Sequence, residues 1–142
     1  MSKSNTFEND WLKLIFNATA IANIADNAAS SPLTNLYLSL HTADPGEAGV
    51  QTTNECAYTS YARVAVARTS GGWTVTGSNV SPVSDIAFPT CTGGIETATH
   101  AAIGTAISGA GKILYSGTVT PAIAISAGAP PRLPTTSTIS ED

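Results

Sequence analysis

The residues of this chain that could do chemistry are few and widely spaced. His41 and His100 are the only histidines. His41 lies three residues before Asp44 and has serines and threonines close by. These are the residue types of a hydroxyl nucleophile with its base and orienting acid. The sequence has no nucleophile elbow, the Gly-x-Ser-x-Gly turn that presents such a serine at a strand end. His100 falls mid-strand among threonines and alanines, where a hydrogen-bonded structural imidazole is the expected role. Asp44, Glu47 and Glu55 share one loop. A calcium site needs several oxygens converging at fixed spacing, and this spacing matches no EF-hand loop. The expectation is a solvated loop, with no catalytic residue, no metal and no cofactor.

Cys56 and Cys91 are the only cysteines, and neither sits in a Cys-x-x-Cys or Cys/His cluster, so a metal site is not expected. In a reducing compartment both are free thiols, at least one of them buried. A bridge is compatible with a loop position for Cys56 and a strand-end position for Cys91, but nothing indicates one. Asn17-Ala18-Thr19 and Asn79-Val80-Ser81 fit the glycosylation pattern, which has no meaning without a secretory route. Gly104, Gly109 and Gly111 read as turn glycines, and no Lys-Ser/Thr pair follows them to complete a phosphate loop. An inventory so empty of enzyme logic points to a structural protein.

The elements that would hold these residues are mostly strands. One helix is expected at the start. Asn5 can cap it with Glu8 as capping-box partner. Trp11, Leu14, Ile15, Ala18, Ala22 and Ala25 then recur at intervals of three and four. Asp26-Asn27 and Ser30-Ser31-Pro32 end it. This helix is either an arm for a neighbouring subunit or a lid on an open edge of its own sandwich. Beyond Pro32, Leu36, Leu38 and Leu40 alternate with Tyr37, Ser39 and His41, the period of a half-buried strand. Asp44-Pro45-Gly46 is a firm turn opening a polar loop from Thr42 to Ser60. Arg63 to Arg68 alternates with Val64 and Val66 inward, and Trp73-Thr-Val75 lies between turns at 70–72 and 76–79. Ile86 and Phe88 share a face. Strands are expected over Thr97–Ile103, Lys112–Val119, Ala122–Ile125 and Thr135–Ile139. Extended backbone is expected through Ala129-Pro-Pro-Arg-Leu-Pro134. About eight short strands with regular turn signals predict an all-β fold, a jelly-roll-like antiparallel β-sandwich with one N-terminal α-helix. The expected organisation is a single domain over 1–142. It has an N-terminal helical segment (1–30), a sandwich (33–128) and a Pro-rich C-terminal segment (129–142).

Only 11% of the residues are charged, against roughly 25% in an average soluble domain. Ser, Thr, Ala and Gly fill the difference. Desolvating a hydroxyl costs less than desolvating a charge, so such a surface suits packing against other proteins. An ordinary Thr-rich β-protein has the same composition. The net charge is −4, and the six Lys and Arg are scattered singly, so no direct nucleic-acid contact is expected. No apolar run approaches the ~20 residues that span a bilayer, and the N-terminus does not read as a signal peptide. No membrane contact is expected, and folding in a cytoplasm is.

A family resemblance rests on five stretches in order after the helix. They are Leu36-Tyr-Leu-Ser-Leu-His-Thr-Ala-Asp-Pro-Gly-Glu-Ala-Gly49, Tyr61-Ala-Arg-Val-Ala-Val66, Ile86-Ala-Phe-Pro89 with Cys91-Thr-Gly93, Thr99-His-Ala-Ala-Ile-Gly104, and Gly111-Lys-Ile-Leu-Tyr-Ser-Gly117. From about Asn5 to Pro131 the chain resembles small virion proteins of tailed bacteriophages, labelled tail or tail-fibre proteins and in some phages capsid cement (decoration) proteins. The resemblance implies a structural role and brings no catalytic residues. It implies a cement protein on the capsid exterior, assembled in the host cytoplasm, that binds the major capsid protein and stabilises the expanded head. The alternative it implies is a tail-tip or tail-fibre protein contacting the host surface. Self-association as dimer or trimer is expected. From exposure and extendedness, the expected interface residues are Trp11, Asp44, Pro45, Gly46, Glu47, Tyr58, Tyr61, Pro130, Pro131 and Arg132.

Overall fold

A computed structural model of the chain describes residues 4–21, 24 and 32–141. In chain order its elements are α1 (Asn5–Asn17), β1 (Asn35–His41), β2 (Val64–Ala67), β3 (Trp73–Thr76), β4 (Asn79–Pro82), β5 (Ile86–Ala87), β6 (Glu96–Gly104), β7 (Ile113–Ile125), β8 (Arg132–Leu133) and β9 (Ile139–Ser140). The fold is the expected one, all-β and antiparallel with, among the described residues, one helix, at the N-terminus. The residues fall into two compact units. The first comprises Met1–Asn35, Ala67–Asp85 and Pro134–Asp142, the second Leu36–Val66 and Ile86–Leu133.

In the first unit, Ser4 rather than Asn5 caps α1. Its hydroxyl accepts the Phe7 N–H at 3.3 Å, and its carbonyl takes the Glu8 N–H at 3.0 Å. The cap therefore lies one residue earlier than the Asn5–Glu8 capping box predicts. The helix also ends earlier, at Asn17, because Ala18 adopts the left-handed conformation (φ 52°) and the Thr19 N–H turns back to Lys13 O at 3.1 Å. The predicted stripe through Trp11, Leu14, Ile15 and Ala18 is not the buried one. Glu8, Leu12 and Phe16, spaced by four, face inward, and Trp11 is 38% exposed. Ala22, Ala25, Asp26 and Asn27 lie outside the described residues. What selects the register is Trp73, fully buried on β3, which meets the Phe16 ring edge-to-face at 4.9 Å.

Two polar contacts fix the helix to the rest of this unit. Asn9 Nδ2 donates to Gly77 O at 2.7 Å, in the two-residue turn joining β3 and β4, where φ of +60° requires glycine. The Arg68 guanidinium donates to Ile15 O, to Leu14 O (2.7 Å) and to Leu33 O (2.9 Å). It thus serves carbonyls that the helix end leaves without partners, where a cation also suits the dipole. The third strand of this sheet is β9, paired through Val80↔Ile139 and Asn79↔Ser140. The final strand is shorter and later than the predicted Thr135–Ile139, because a turn closed by Ser137 N–H to Pro134 O occupies its first half.

In the second unit the sheet order is β2-β1-β6-β7. Leu36, Leu38 and Leu40 are buried as the alternation predicts. The opposite face of β1 is covered too, since Ser39 and His41 are 0% exposed. β1 pairs with β6 from Tyr37↔Gly104 to His41↔His100. The two strands predicted on either side of Pro121 form one, β7, but the register with β6 breaks there. Ala98 opposes Ile123 and His100 opposes Thr118, so residues 119–122 bulge outward opposite Thr99. The Pro-rich stretch is extended as predicted and becomes β8, which pairs with β5 through Ile86↔Leu133 and Ala87↔Arg132.

Candidate functional site

The loop after β1 carries most of the candidate chemistry, and within the second unit it folds into a buried polar cluster. Asp44 Oδ1 accepts the Gly46 N–H at 2.8 Å, and Asn54 Nδ2 donates to Asp44 O at 3.0 Å, closing the excursion into a compact loop. Its second half continues beside β1. The Thr42 N–H donates to Asn54 O and the Cys56 N–H to Leu40 O, both at 2.8 Å. Asp44 and Cys56, singled out in this loop by sequence analysis, are thereby drawn into contacts of the fold, whereas Glu47 is exposed.

His41 is hydrogen-bonded on both ring nitrogens. Nδ1 lies 2.8 Å from Thr53 O, a pure acceptor, so Nδ1 carries the proton. Nε2 is then an acceptor and receives the Ser39 hydroxyl at 2.9 Å. The pair has the contact of a nucleophile with its base. Neither residue has any exposed surface, and a carbonyl stands where an acid would orient the imidazole. A substrate cannot reach Ser39, and Asp44 is not part of the arrangement. The geometry makes a satisfied structural imidazole of His41.

Burial lowers the His41 pKa from its ordinary value near 6.5, against the opposing pull of the Thr53 carbonyl and Glu55. A histidine held neutral in the fold but free to charge when unfolded gives the unfolded chain more bound protons below that value, so stability rises with pH there. This contribution is intact above pH 6.5 and declines as the pH falls below it. Urea unfolding at a series of pH values down to about 5, above the ordinary carboxylate range, should show the decline. The slope should persist in His100→Asn. Its loss in that variant would assign the effect to His100 instead.

Glu55 and Arg63 form the centre of the cluster. The guanidinium is bidentate, with Nε to Oε1 and Nη2 to Oε2 each at 2.7 Å, and the Arg63 side chain is 3% exposed. Its other donors reach the hairpin loop between β6 and β7, at Ala106 O (2.9 Å) and Gly109 O (2.8 Å). The Tyr61 hydroxyl donates to Glu55 Oε1 at 2.9 Å and accepts the Leu40 N–H at 3.1 Å. Burial, first of all, pushes its pKa far up, and pairing with the carboxylate raises that of Arg63.

Gln51, fully buried, holds the same hairpin from the other side. Its Oε1 accepts the Ala106 N–H (3.0 Å), its Nε2 donates to Tyr37 O (3.3 Å), and its own N–H donates to Gly111 O (2.9 Å). Gly104 and Gly111, predicted as turn glycines, have a different reason to be glycine. A Cβ on either would stand 2.1 Å from the Gln51 side chain. Gly109 is a true turn glycine, at φ +74°. Sequence reasoning had no signal for Gln51, whose role is set by partners 14 to 60 residues away.

The expected interface residues differ in exposure. Trp11, Asp44, Gly46, Glu47 and Arg132 are exposed, and Pro130 partly so. Pro45, Tyr58 and Pro131 are buried. Tyr58 donates to Pro89 O at 2.8 Å and meets the Tyr61 ring edge-on at 5.3 Å, and Tyr61 stacks on Phe88. Cys56 and Cys91 are buried free thiols, and burial pushes Cys56 up to about 12. Among the described residues no three His, Cys, Asp or Glu side chains are grouped to hold a metal ion.

The cluster therefore offers rigidity rather than reaction. A family model described as Podophage GP4 fiber I protein gp80 matches residues 2–140. No curated protein matches the chain.

Proposed function

We propose that this chain, which belongs to the family of the Podophage GP4 fiber I protein gp80, is a structural part of a phage tail fibre and performs no catalysis. The match over residues 2–140 is the observation that carries this reading. The buried cluster supports it, because His41, Ser39, Glu55, Arg63 and Gln51 are engaged in holding loops. The charge-poor, hydroxyl-rich surface suits a protein packed against others.

Both placements expected from the sequence survive as alternatives with different stoichiometry. A fibre component is present in a few to a few dozen copies, whereas cement on the outer surface of the major capsid protein shell is present in hundreds. Quantitative mass spectrometry of purified virions separates them. We expect the low number. Hundreds of copies would overturn the fibre assignment in favour of the shell.

A further inference from the structure

We infer that residues 53–56 form an acid-released clasp: they lie over the end of β1 while His41 is neutral, and protonation of His41 frees them while the four-stranded sheet stays paired. The clasp stands between this imidazole and water. His41 has no exposed surface, yet Asn54 in the segment that covers it is exposed. Besides His41 Nδ1–H to Thr53 O (2.8 Å), the Thr42 N–H and hydroxyl donate to Asn54 O (2.8 and 3.2 Å), and the Cys56 N–H donates to Leu40 O (2.8 Å). A surface segment held by a short set of bonds opens at a lower cost than the sheet beneath it.

The closed form is built around a neutral ring. Thr53 O fixes the proton on Nδ1, and Nε2 receives the Ser39 hydroxyl at 2.9 Å. An added proton goes to Nε2. The Ser39 hydroxyl must then turn away, and Ala102 O, at 3.5 Å, is a poor alternative acceptor. The charge itself finds no free counterion. Among the described residues, the groups whose charge acts on His41 are Glu55 in the clasp, Arg63 before β2, and His100, opposite it on β6. Arg63 and His100 oppose another positive charge. Glu55 favours it, but both its oxygens are taken, Oε1 by Arg63 Nε and the Tyr61 hydroxyl and Oε2 by Arg63 Nη2. The Tyr61 hydroxyl and the Cys56 thiol stay neutral, because burial pushes both up. A buried charge without a partner is costly, and opening of the clasp hydrates it.

Release also reaches the surface. Glu55 moves with the clasp, and Arg63, which it orients, holds Ala106 O and Gly109 O in the hairpin loop between β6 and β7. Ile107, 63% exposed, lies on that loop. Acid thereby loosens an exposed apolar tip through a histidine buried elsewhere in the cluster. The device does not depend on the fibre assignment, and virion copy number leaves it untouched.

Amide hydrogen exchange of the full-length chain at about pH 7.5 and about pH 5.5, each rate divided by its intrinsic rate, tests it. A ring that stays neutral while held and titrates near 6.5 once released makes opening up to about tenfold more frequent at the lower pH. The Thr42 and Cys56 amides should lose protection towards that factor, and residues 106–111 should follow. The amides bonded between β1 and β6 should keep theirs. His41→Asn retains a donor for Thr53 O and has nothing to titrate, so the pH effect should vanish there, whereas in His100→Asn it should persist. An NMR titration of the wild-type histidine rings needs no variant to fold. His41 should titrate below 6.5, and the amide shifts of 53–56 should move with it. Protection lost evenly across the sheet overturns the inference. So does a pH effect kept in His41→Asn or abolished in His100→Asn, or a His41 ring that titrates at or above 6.5.

Discussion

Glu55→Gln is expected to lower the unfolding free energy by about 3–5 kcal/mol. The magnitude follows from what is left behind. The Arg63 side chain is 3% exposed and its guanidinium cannot shed its proton at any accessible pH. An amide supplies one acceptor where the carboxylate supplies two, and it turns N–H donors toward a group that has only donors. The Tyr61 hydroxyl, 2.9 Å from Oε1, loses the charge on its acceptor as well. Stabilities of natural domains are about 5–15 kcal/mol, so this one change removes a large part of the total. Urea unfolding of Glu55→Gln beside Glu47→Gln, an exposed carboxylate of the same loop, provides the comparison. The control should stay within about 0.5 kcal/mol of wild type. A cost below about 1 kcal/mol for Glu55→Gln would mean that the pair behaves as a surface salt bridge.

Replacing both partners separates stability from shape. Glu55→Leu with Arg63→Met removes the buried charges together and should recover most of the loss. The hairpin loop would still lose the two carbonyl contacts at Ala106 and Gly109. Amide exchange at residues 106–111 should therefore quicken in the double variant even where global stability returns.

Gly104→Ala and Gly111→Ala are each expected to cost about 1–3 kcal/mol, a large effect for one methyl group. At Gly104 the new Cβ would lie 2.1 Å from Gln51 Cδ, and at Gly111 2.1 Å from Gln51 Oε1 and 2.6 Å from Ala106 Cβ. The end of a glutamine side chain can ordinarily swing aside. Here it is fully buried, and moving it breaks the bonds to Ala106 N–H and Tyr37 O. The cause is testable by a double-mutant cycle with Gln51→Ala, which opens the space the methyl needs. The Gly104→Ala cost should shrink in that background. A cost that adds without coupling would place its origin in the backbone instead.

Sequence pattern and structure agree wherever the pattern reports on one face of one element. The leucines at 36, 38 and 40, the two-residue turn at Gly77-Ser78 and the extended Pro130-Pro131 stretch all depend on the local chain. The pattern misleads where two local solutions are nearly equal. The helix offered a stripe through Trp11, Leu14 and Ile15 and another through Glu8, Leu12 and Phe16. Trp73, some 60 residues on, decides for the second by covering Phe16. Ser39 and His41 read as the outward face of a half-buried strand, but residues 53–56 fold back over that end of β1. The bulge at 119–122 was visible only as Pro121, which marks a break in pairing without saying whether one strand or two results.

By itself the amino-acid sequence determined the all-β class, the single N-terminal helix and the scarcity of charge. These follow from periodicity and composition, which every short window of the chain carries. It also showed no motif for a nucleophile, a metal or a phosphate. Only the tertiary structure decided what the histidine, the glutamine and the Glu–Arg pair are for, because their partners lie 2 to 60 residues away.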